Sequence, residues 1–113
     1  MREIKAIIQP FLADKVLDAL RQLADLPGVT VSEVRGYGRQ QHRRTSEREK
    51  GAGVFGEEKI KLEFVVPDRL VEQVMETISK AAHTGNPGDG KIFVYPVWDV
   101  VRIRTGDRGE QAI

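Results

Sequence analysis

The chain contains no cysteine, which excludes a disulfide framework, a thiolate nucleophile and a thiolate metal site. It also lacks a clear excess of either charge, because 18 Lys and Arg residues stand against 17 Asp and Glu residues. The formal net charge of +1 removes the bulk electrostatic argument for a nucleic acid or an anionic membrane as partner. Any basic site in this protein must therefore be local.

Long apolar runs are missing as well. No uncharged stretch approaches the roughly 20 residues of a membrane helix, and the N-terminal MREIKAII lacks the apolar block of a secretory signal. We therefore expect a cytoplasmic protein. Its 113 residues, of which 40% are hydrophobic and 31% charged, are typical of a single domain that covers residues 1–113.

The sequence also has no recognisable catalytic grouping. His42 and His83 are isolated, no nucleophile has a paired base, and no cluster of Asp, Glu and His has the spacing of metal ligands. We therefore predict that the protein is not an enzyme.

The apolar residues of the first third predict a strand, a helix and a second strand. Ile4, Ala6 and Ile8 recur at every second position, as in a half-buried strand. Over residues 12–23 apolar side chains recur at three- and four-residue intervals, which predicts one apolar helix face. Valines over residues 29–34 predict the next strand.

The second half of the chain repeats this order. Alternation over residues 60–66 predicts a strand, and Asp68 is a natural N-cap for an apolar helical stripe over residues 70–78. Two further short strands are expected over residues 92–97 and 100–103. The order is therefore βαβ, a long loop, βαβ and a short final strand.

Two successive βαβ units indicate an α+β fold of the ferredoxin-like type. This double βαβ sandwich has four antiparallel strands with both helices on one face of the sheet. The other face carries Lys59, Lys61 and Glu63 together with Ile7 and Val65. Because such a face is only half suited to water, we expect the chain to associate with itself.

Residues 38–58 follow neither period and contain several glycines and basic residues. A loop of this length exceeds the roughly 12 to 15 residues that compact domains usually tolerate, so we expect it to be exposed and functional. Its basic residues also suggest a nucleic-acid site. However, several glutamates nearly cancel that charge, and Phe55 is the only aromatic residue of the loop, so base stacking has little support.

The segment TGNPGDGKIFV, residues 84–94, is the strongest candidate for a binding site. Gly85, Gly88 and Gly90 permit positive φ and close backbone approach, so backbone N–H groups and the Lys91 ammonium can converge on an anion. Asp89 could either hold the turn or contact a sugar hydroxyl. The alternative is a plain connection between a helix and a strand.

Four ordered motifs make the whole chain resemble the PII signal-transduction proteins, the nitrogen regulatory protein P-II family. The motifs are GYGRQ at residues 36–40, EFVVPD at 63–68, TGNPGDGKIFV at 84–94 and VRIRTGDRGEQAI at 101–113.

The resemblance implies a homotrimer of ferredoxin-like subunits, with ATP or ADP in each cleft between neighbours. The family's T-loop, here about residues 38–58, docks on target proteins. Its phosphate-binding B-loop corresponds to about residues 84–90 and its C-loop to about residues 102–109. The best-known targets are the ammonium channel and regulators of nitrogen metabolism, so recruitment to the membrane by a transporter is implied as well.

The resemblance also assigns nucleotide-binding residues. Arg102 and Arg104 match the C-loop pair, and on a strand their alternate positions would let two guanidinium groups grip one polyphosphate from the same side. A solvated strand edge is the alternative for this pair. The implied residues are Thr30, Gly36, Gly38, Arg39, Glu63, Val65, Gly88, Asp89, Gly90, Lys91, Arg102 and Arg104.

In PII proteins 2-oxoglutarate joins the site through a Mg²⁺ ion held by the ATP phosphates, and Gln40 and Lys59 match the positions that orient it. This chemistry is consistent, because a hard cation prefers oxygen ligands, such as the Gln40 amide, and Lys59 can pair with the distal carboxylate. A loop amide and a strand-edge charge are the alternatives for the two residues. Gln9 stands where the family commonly has lysine, which removes a positive charge near the same pocket.

The T-loop departs from the pattern of many bacterial members, which carry a tyrosine that is uridylylated. Ala52 and its neighbours replace that tyrosine, so this switch cannot operate here. Ser46, in the string RRTS, is a candidate phosphorylation site.

The divergent loop leaves two alternatives open. One is a PII-like sensor that is paired with a bicarbonate or heavy-metal transporter and does not respond to 2-oxoglutarate. The other, from a different class, is a nucleic-acid-binding ferredoxin-like domain, although we expect no nucleic-acid partner.

Overall fold

The structure is a computed structural model that describes residues 1–38 and 56–113. Arg39, Gln40, Ser46 and Ala52, to which the sequence gave roles, lie outside the described residues. The described elements are, in chain order, β1 (Arg2–Ile8), α1 (Ala13–Arg21), β2 (Thr30–Gly36), β3 (Glu57–Val66), α2 (Val71–Ala82) and β4 (Lys91–Pro96).

The four strands form one antiparallel sheet in the order β2-β3-β1-β4. This is the topology of the ferredoxin-like double βαβ fold, because the first strand of each unit lies in the middle of the sheet and the second lies at an edge. The predicted fold class is therefore confirmed.

The core lies between the two central strands and the two helices. In the β1–β3 ladder Ile4 lies opposite Phe64 and Ala6 opposite Leu62, and all four side chains are buried. Both helices pack on this face, as the sequence predicted. Each helix presents buried residues four positions apart, Val16 and Leu20 in α1 and Val74 and Ile78 in α2.

Both helices begin with a short 3-10 turn, Pro10–Leu12 before α1 and Asp68–Leu70 before α2. The prediction that Asp68 caps α2 with its side chain is wrong, since no side-chain cap bond is present there. The Asp68 carboxylate instead accepts from the Met1 ammonium at 3.0 Å, with Arg2 at 3.5 Å. The hydrogen bond from the ammonium is the main reason why the pKa of Asp68 is lowered.

The predicted strand over residues 100–103 is also wrong. Only Val101 pairs, in a single bridge to Arg108, and the chain then turns. The N–H of Arg102 donates to Asp107 O at 2.9 Å, and the N–H of Gly106, at φ 77°, donates to Arg102 O at 2.7 Å. In the described part of the chain, the alternation VVRI pairs only through this one bridge, and the backbone groups of the segment bond within the segment instead.

The long predicted loop ends two residues earlier than expected. Glu57 and Glu58 belong to β3, where they lie opposite Gly36 and Arg35 of β2. Arg35 also pairs with Glu58 at 3.4 Å. Backbone pairing between β2 and β3 needs no apolar side chain, so the ladder continues past the point where the apolar alternation begins.

The sheet face away from the helices is half apolar, as predicted. Phe93 and Tyr95 of β4 are 40% and 41% exposed there, and the Lys5 ammonium lies 4.9 Å from the Tyr95 ring centroid. Lys61 pairs with Glu63 at 3.2 Å on the same face. None of the helices within the described residues has the length and hydropathy that a membrane crossing requires.

Replacement of Ile78 tests the core. Ile78 is fully buried in α2, so Ile78→Ala should lower the free energy of unfolding by about 2–5 kcal/mol through lost burial and the cavity that remains. Chemical denaturation would measure this. Ser79→Ala is the matched control, because Ser79 is the next residue of the same helix and is exposed, and it should change stability by less than about 0.5 kcal/mol. Equal effects of the two changes would contradict this description of the core.

Candidate anion-binding cleft

A cleft of about 430 Å³ opens on the sheet face away from the helices, where β2 ends and β3 and β4 begin. The turn over residues 84–90 forms one wall of it. The lining residues are Ile7, Gly36, Tyr37, Gly38, Glu57, Lys59, Asn86, Gly88, Asp89, Gly90, Lys91 and Phe93.

The Asp89 carboxylate stabilises the turn through hydrogen bonds to other residues of the turn. It accepts from the N–H of Thr84 at 2.8 Å, from the N–H of Gly85 at 2.9 Å and from the Thr84 hydroxyl. The bond from the Thr84 hydroxyl is the largest cause of the lowered pKa of Asp89, followed by the bond from the Thr84 N–H. Of the two roles considered for Asp89, these contacts support the one that holds the turn.

The glycines give the turn its path along the sheet. Gly85, Gly88 and Gly90 have φ of 88°, 98° and 102°, which side chains disfavour. At Gly90 a Cβ atom would lie 1.7 Å from the carbonyl oxygen of Ile7, so only glycine fits. Because the N–H groups of Thr84 and Gly85 are used by Asp89, the amides of residues 88–90 are the candidate donors to an anion.

Lys59 reaches the cleft from β3 and is only 8% exposed. Its ammonium donates to Gly88 O at 2.7 Å and lies 3.8 Å from the Glu57 carboxylate. Burial of a charge is costly unless the charge is paired and hydrogen-bonded, and both conditions are met here. Lys59 is therefore not a solvated strand-edge charge. Its hydrogen bond to Gly88 O links the turn to β3.

The structure brings together only part of the predicted nucleotide site. Gly36 and Gly38 meet the turn in the cleft, whereas Thr30 lies opposite Glu63 in the β2–β3 ladder, six residues from Gly36. At about 3.3 Å per residue this is a separation of about 20 Å along the strand. Val65 lies further still in that direction. The cleft residues among those predicted are Gly36, Gly38, Lys59, Gly88, Asp89, Gly90 and Lys91.

Arg102 and Arg104 also lie outside the cleft of their own chain. They do not share a strand face, because residues 103–105 form a turn. The Arg102 guanidinium donates to the carbonyl oxygens of Gln111 and Ile113, each at 3.3 Å, and lies 3.8 Å from Asp107. Arg102 therefore holds the C-terminal segment, and Arg104 is exposed.

The cleft also contains residues that the sequence analysis missed as site residues. Glu57 is the most notable, since its side chain is only 14% exposed. It was assigned to the loop, but its position two residues before Lys59 would have placed both on one face of an extended β3. Within residues 1–38 and 56–113, no group of three or more metal-binding side chains is found.

The fold and the cleft together define a ferredoxin-like domain with a glycine-rich turn that lines a cleft. Residues 1–107 match the family model of nitrogen regulatory protein P-II. The chain therefore belongs to the P-II family of nitrogen regulatory proteins, as its motifs predicted.

Several relatives match the whole chain. It is 49% identical to nitrogen regulatory protein P-II of Azospirillum brasilense and 45% identical to nitrogen regulatory protein P-II 1 of Escherichia coli K12, with all of each chain covered. Among solved structures it is similar to Arabidopsis thaliana PII bound to citrate. That similarity has a TM-score of 0.79 and 42% identity and covers 99% of this chain and 91% of the other.

The close approach at Gly90 can be tested by one added methyl group. Gly90→Ala should lower the free energy of unfolding by more than about 2 kcal/mol, because the positive φ and the contact with Ile7 both oppose a Cβ atom. Gly28→Ala is the control, since a Cβ atom there meets nothing within 4 Å, and it should be neutral or slightly stabilising. A Gly90→Ala protein as stable as Gly28→Ala would refute this account of the turn.

The lowered pKa of Asp89 gives a prediction about pH. A carboxyl group whose folded-state pKa lies below its unfolded value of about 3.9 stabilises the fold above that value and loses the contribution as the pH falls through the folded pKa. Asp89→Asn should therefore be destabilised relative to wild type by a constant amount from pH 8 to pH 5, and by less below about pH 3.9. Denaturation curves without ligand at several pH values would measure the difference. A deficit that grows on acidification would contradict the assignment.

Proposed function

We propose that this protein is a P-II-type signal transducer, and not an enzyme, that binds ATP or ADP between subunits and regulates a target protein through its T-loop, about residues 38–58. The observation that carries the proposal is the turn at Gly88 to Lys91, pressed against β1 at Gly90 and tied to β3 by Lys59. A rigid turn of this kind presents backbone amides and the Lys91 ammonium to phosphate groups without reorganisation.

Two separated half-sites support a nucleotide site shared by neighbours. The first half is the cleft. The second half consists of Thr30, Glu63 and Val65, at the other end of the same sheet face, together with the C-loop residues Arg102 and Arg104, which lie outside the cleft of their own chain. A nucleotide cannot contact both halves of one chain if they are about 20 Å apart along β2. A neighbouring subunit would supply the second half.

The exposed sheet face supports a homotrimer. Phe93 and Tyr95 of β4 and Ile7 and Val65 of the central strands lie on the face that carries the cleft. Burial of such a face between copies would remove apolar area from water at about 25 cal/mol per Å². The same packing would bring the C-loop of one subunit towards the cleft of another.

Magnesium would enter with the nucleotide. The described cleft residues offer no cluster of acidic ligands, which fits an ion that is held by the triphosphate oxygens and that takes at most one or two protein ligands. Gln40 is the residue proposed to contribute such a ligand. The ion would neutralise phosphate charge and present a site for a small carboxylate effector such as 2-oxoglutarate, towards which Lys59 would point.

The regulated target is proposed to be a membrane transporter, such as an ammonium channel, or a regulator of nitrogen metabolism. One observation favours the variant of this proposal in which the partner is a bicarbonate or heavy-metal transporter and 2-oxoglutarate has no effect. Lys59, the proposed partner of the effector carboxylate, already lies beside Glu57. The nucleotide site is the same in both variants.

Calorimetric titration with ATP and with ADP tests the proposal directly. Saturable binding with one nucleotide per subunit is expected, and an absence of binding would refute the sensor function. A salt-sensitive shift of DNA or RNA by a protein that binds no nucleotide would instead favour the nucleic-acid alternative.

The shared site makes a specific prediction about mixed oligomers. Lys91→Ala and Arg104→Ala should each weaken ATP binding by roughly 1.5 to 3 kcal/mol, because each removes a charge-assisted contact to phosphate. The two variants alter opposite halves of the site, so co-refolded mixtures should regain some sites of wild-type affinity.

Arg21→Ala is the control for these variants. Arg21 lies in α1, exposed and paired with Asp18, and its removal should leave ATP affinity unchanged. Mixtures that bind no better than either parent would show that the two residues do not contribute to one site from different subunits.

A further inference from the structure

The cleft contains its own counterion for the lysine that a carboxylate effector would use. Glu57 and Lys59 have side-chain exposures of 14% and 10%, and the Glu57 carboxylate lies 3.8 Å from the Lys59 ammonium. The same ammonium donates to Gly88 O at 2.7 Å. A carboxylate and a carbonyl oxygen of the chain itself are therefore partners of this cation.

The geometry of β3 fixes both side chains on the cleft side. Residues two apart on a strand share a face, and Gly36 lies directly opposite Glu57 in the β2–β3 ladder. Both Gly36 and Glu57 line the cleft. A Cβ atom at Gly36 would lie 3.6 Å from Lys59 Cγ.

The neighbouring Glu58 shows that a glutamate at the start of β3 does not lie in the cleft merely because of its position there. Glu58 points to the other face of β3, is 74% exposed and pairs with Arg35 at 3.4 Å. Two consecutive glutamates thus have different surroundings, and only Glu57 lines the cleft.

We infer that Glu57 is a specificity-determining residue that occupies the carboxylate position beside Lys59 and makes the cleft reject small dicarboxylates while it admits a nucleotide. This inference rests on the proposed nucleotide-binding function, and it identifies the variant that does not respond to 2-oxoglutarate as the one this chain adopts.

Electrostatics gives the direction of the effect. Among the described residues, the charged side chains that line the cleft are the cations Lys59 and Lys91 and the anions Glu57 and Asp89, so the formal charges of these four sum to zero. An incoming carboxylate must displace Glu57 from Lys59 and then lie next to it, where two like charges in a partly desolvated site repel each other.

An intramolecular counterion also has an entropic advantage. Glu57 is part of the same strand as Lys59, so its pairing loses no translational freedom, whereas a free dicarboxylate must lose that freedom on binding. Lys91 begins β4 on the opposite wall. The acidic residue two positions before it, Asp89, accepts hydrogen bonds from the N–H groups of Thr84 and Gly85, so Lys91 remains suited to phosphate.

Removal of the Glu57 charge should therefore create a dicarboxylate response. Wild-type protein is titrated with Mg-ATP, and then with 2-oxoglutarate in the presence of saturating Mg-ATP, by calorimetry. We expect nucleotide binding without a detectable dicarboxylate effect. In Glu57→Gln, and in Glu57→Leu as a second variant of different shape, we expect 2-oxoglutarate to bind at least about tenfold more tightly than to wild type, the gain of one charge-assisted contact.

Glu58→Gln is the matched control, because it removes the same charge one residue away on the opposite face of the strand. It should leave the protein as indifferent to dicarboxylates as wild type. The double variant Glu57→Gln with Lys59→Met should lose the new response, since the cation that holds the carboxylate is gone. Circular dichroism and thermal melting of each variant confirm that the fold is intact.

The outcomes separate this inference from the proposed function. Wild-type protein that binds no nucleotide refutes the proposed function itself. Nucleotide binding together with a strong 2-oxoglutarate response in wild type overturns only the role of Glu57. The role is equally overturned if folded Glu57→Gln and Glu57→Leu both bind nucleotide and remain indifferent, or if Glu58→Gln gains the same response.

Discussion

The close approach of Gly90 to the backbone of Ile7 is the constraint on which the site depends. A Cβ atom at residue 90 would lie 1.7 Å from Ile7 O, so the turn can lie against β1 only because that side chain is absent. From this position Lys91 starts β4 opposite Ile7, and Gly88 O reaches the ammonium of Lys59. Because residue 90 has no side chain, the turn can contact β1 and β3 and lead directly into β4 where the cleft opens.

The charged side chains Asp89 and Lys59 of the cleft have polar or oppositely charged partners within the chain. Asp89 is held by donors within the turn, and Lys59 lies between a carbonyl oxygen and Glu57. Polar groups that are already satisfied make the turn rigid, and rigidity lowers the cost of ordering it around a ligand. In the proposed mechanism, the same pairing limits which anions can compete for Lys59.

Sequence reasoning succeeded where periodicity and packing agree. The alternation in β1 and β3 and the helical stripes were sufficient for the ferredoxin-like fold, because one face of each element must be buried. It failed where local contacts compete with a pattern. Asp68 pairs with the Met1 ammonium and does not cap a helix, and the alternation after Val100 closes into a turn. Neither partner could be identified from spacing along the chain.

The sequence by itself determined the order of the four sheet strands and two helices, the faces that form the core, and the glycine-rich turn with its lysine, since these follow from residue type and local period. Only the tertiary structure decided which candidates meet. It joined Gly36 and Lys59 to the turn, separated Thr30 and Arg102 from it, and brought Glu57 beside Lys59. The reason is that strand register and the meeting of distant segments depend on pairing across the sheet, which no local pattern specifies.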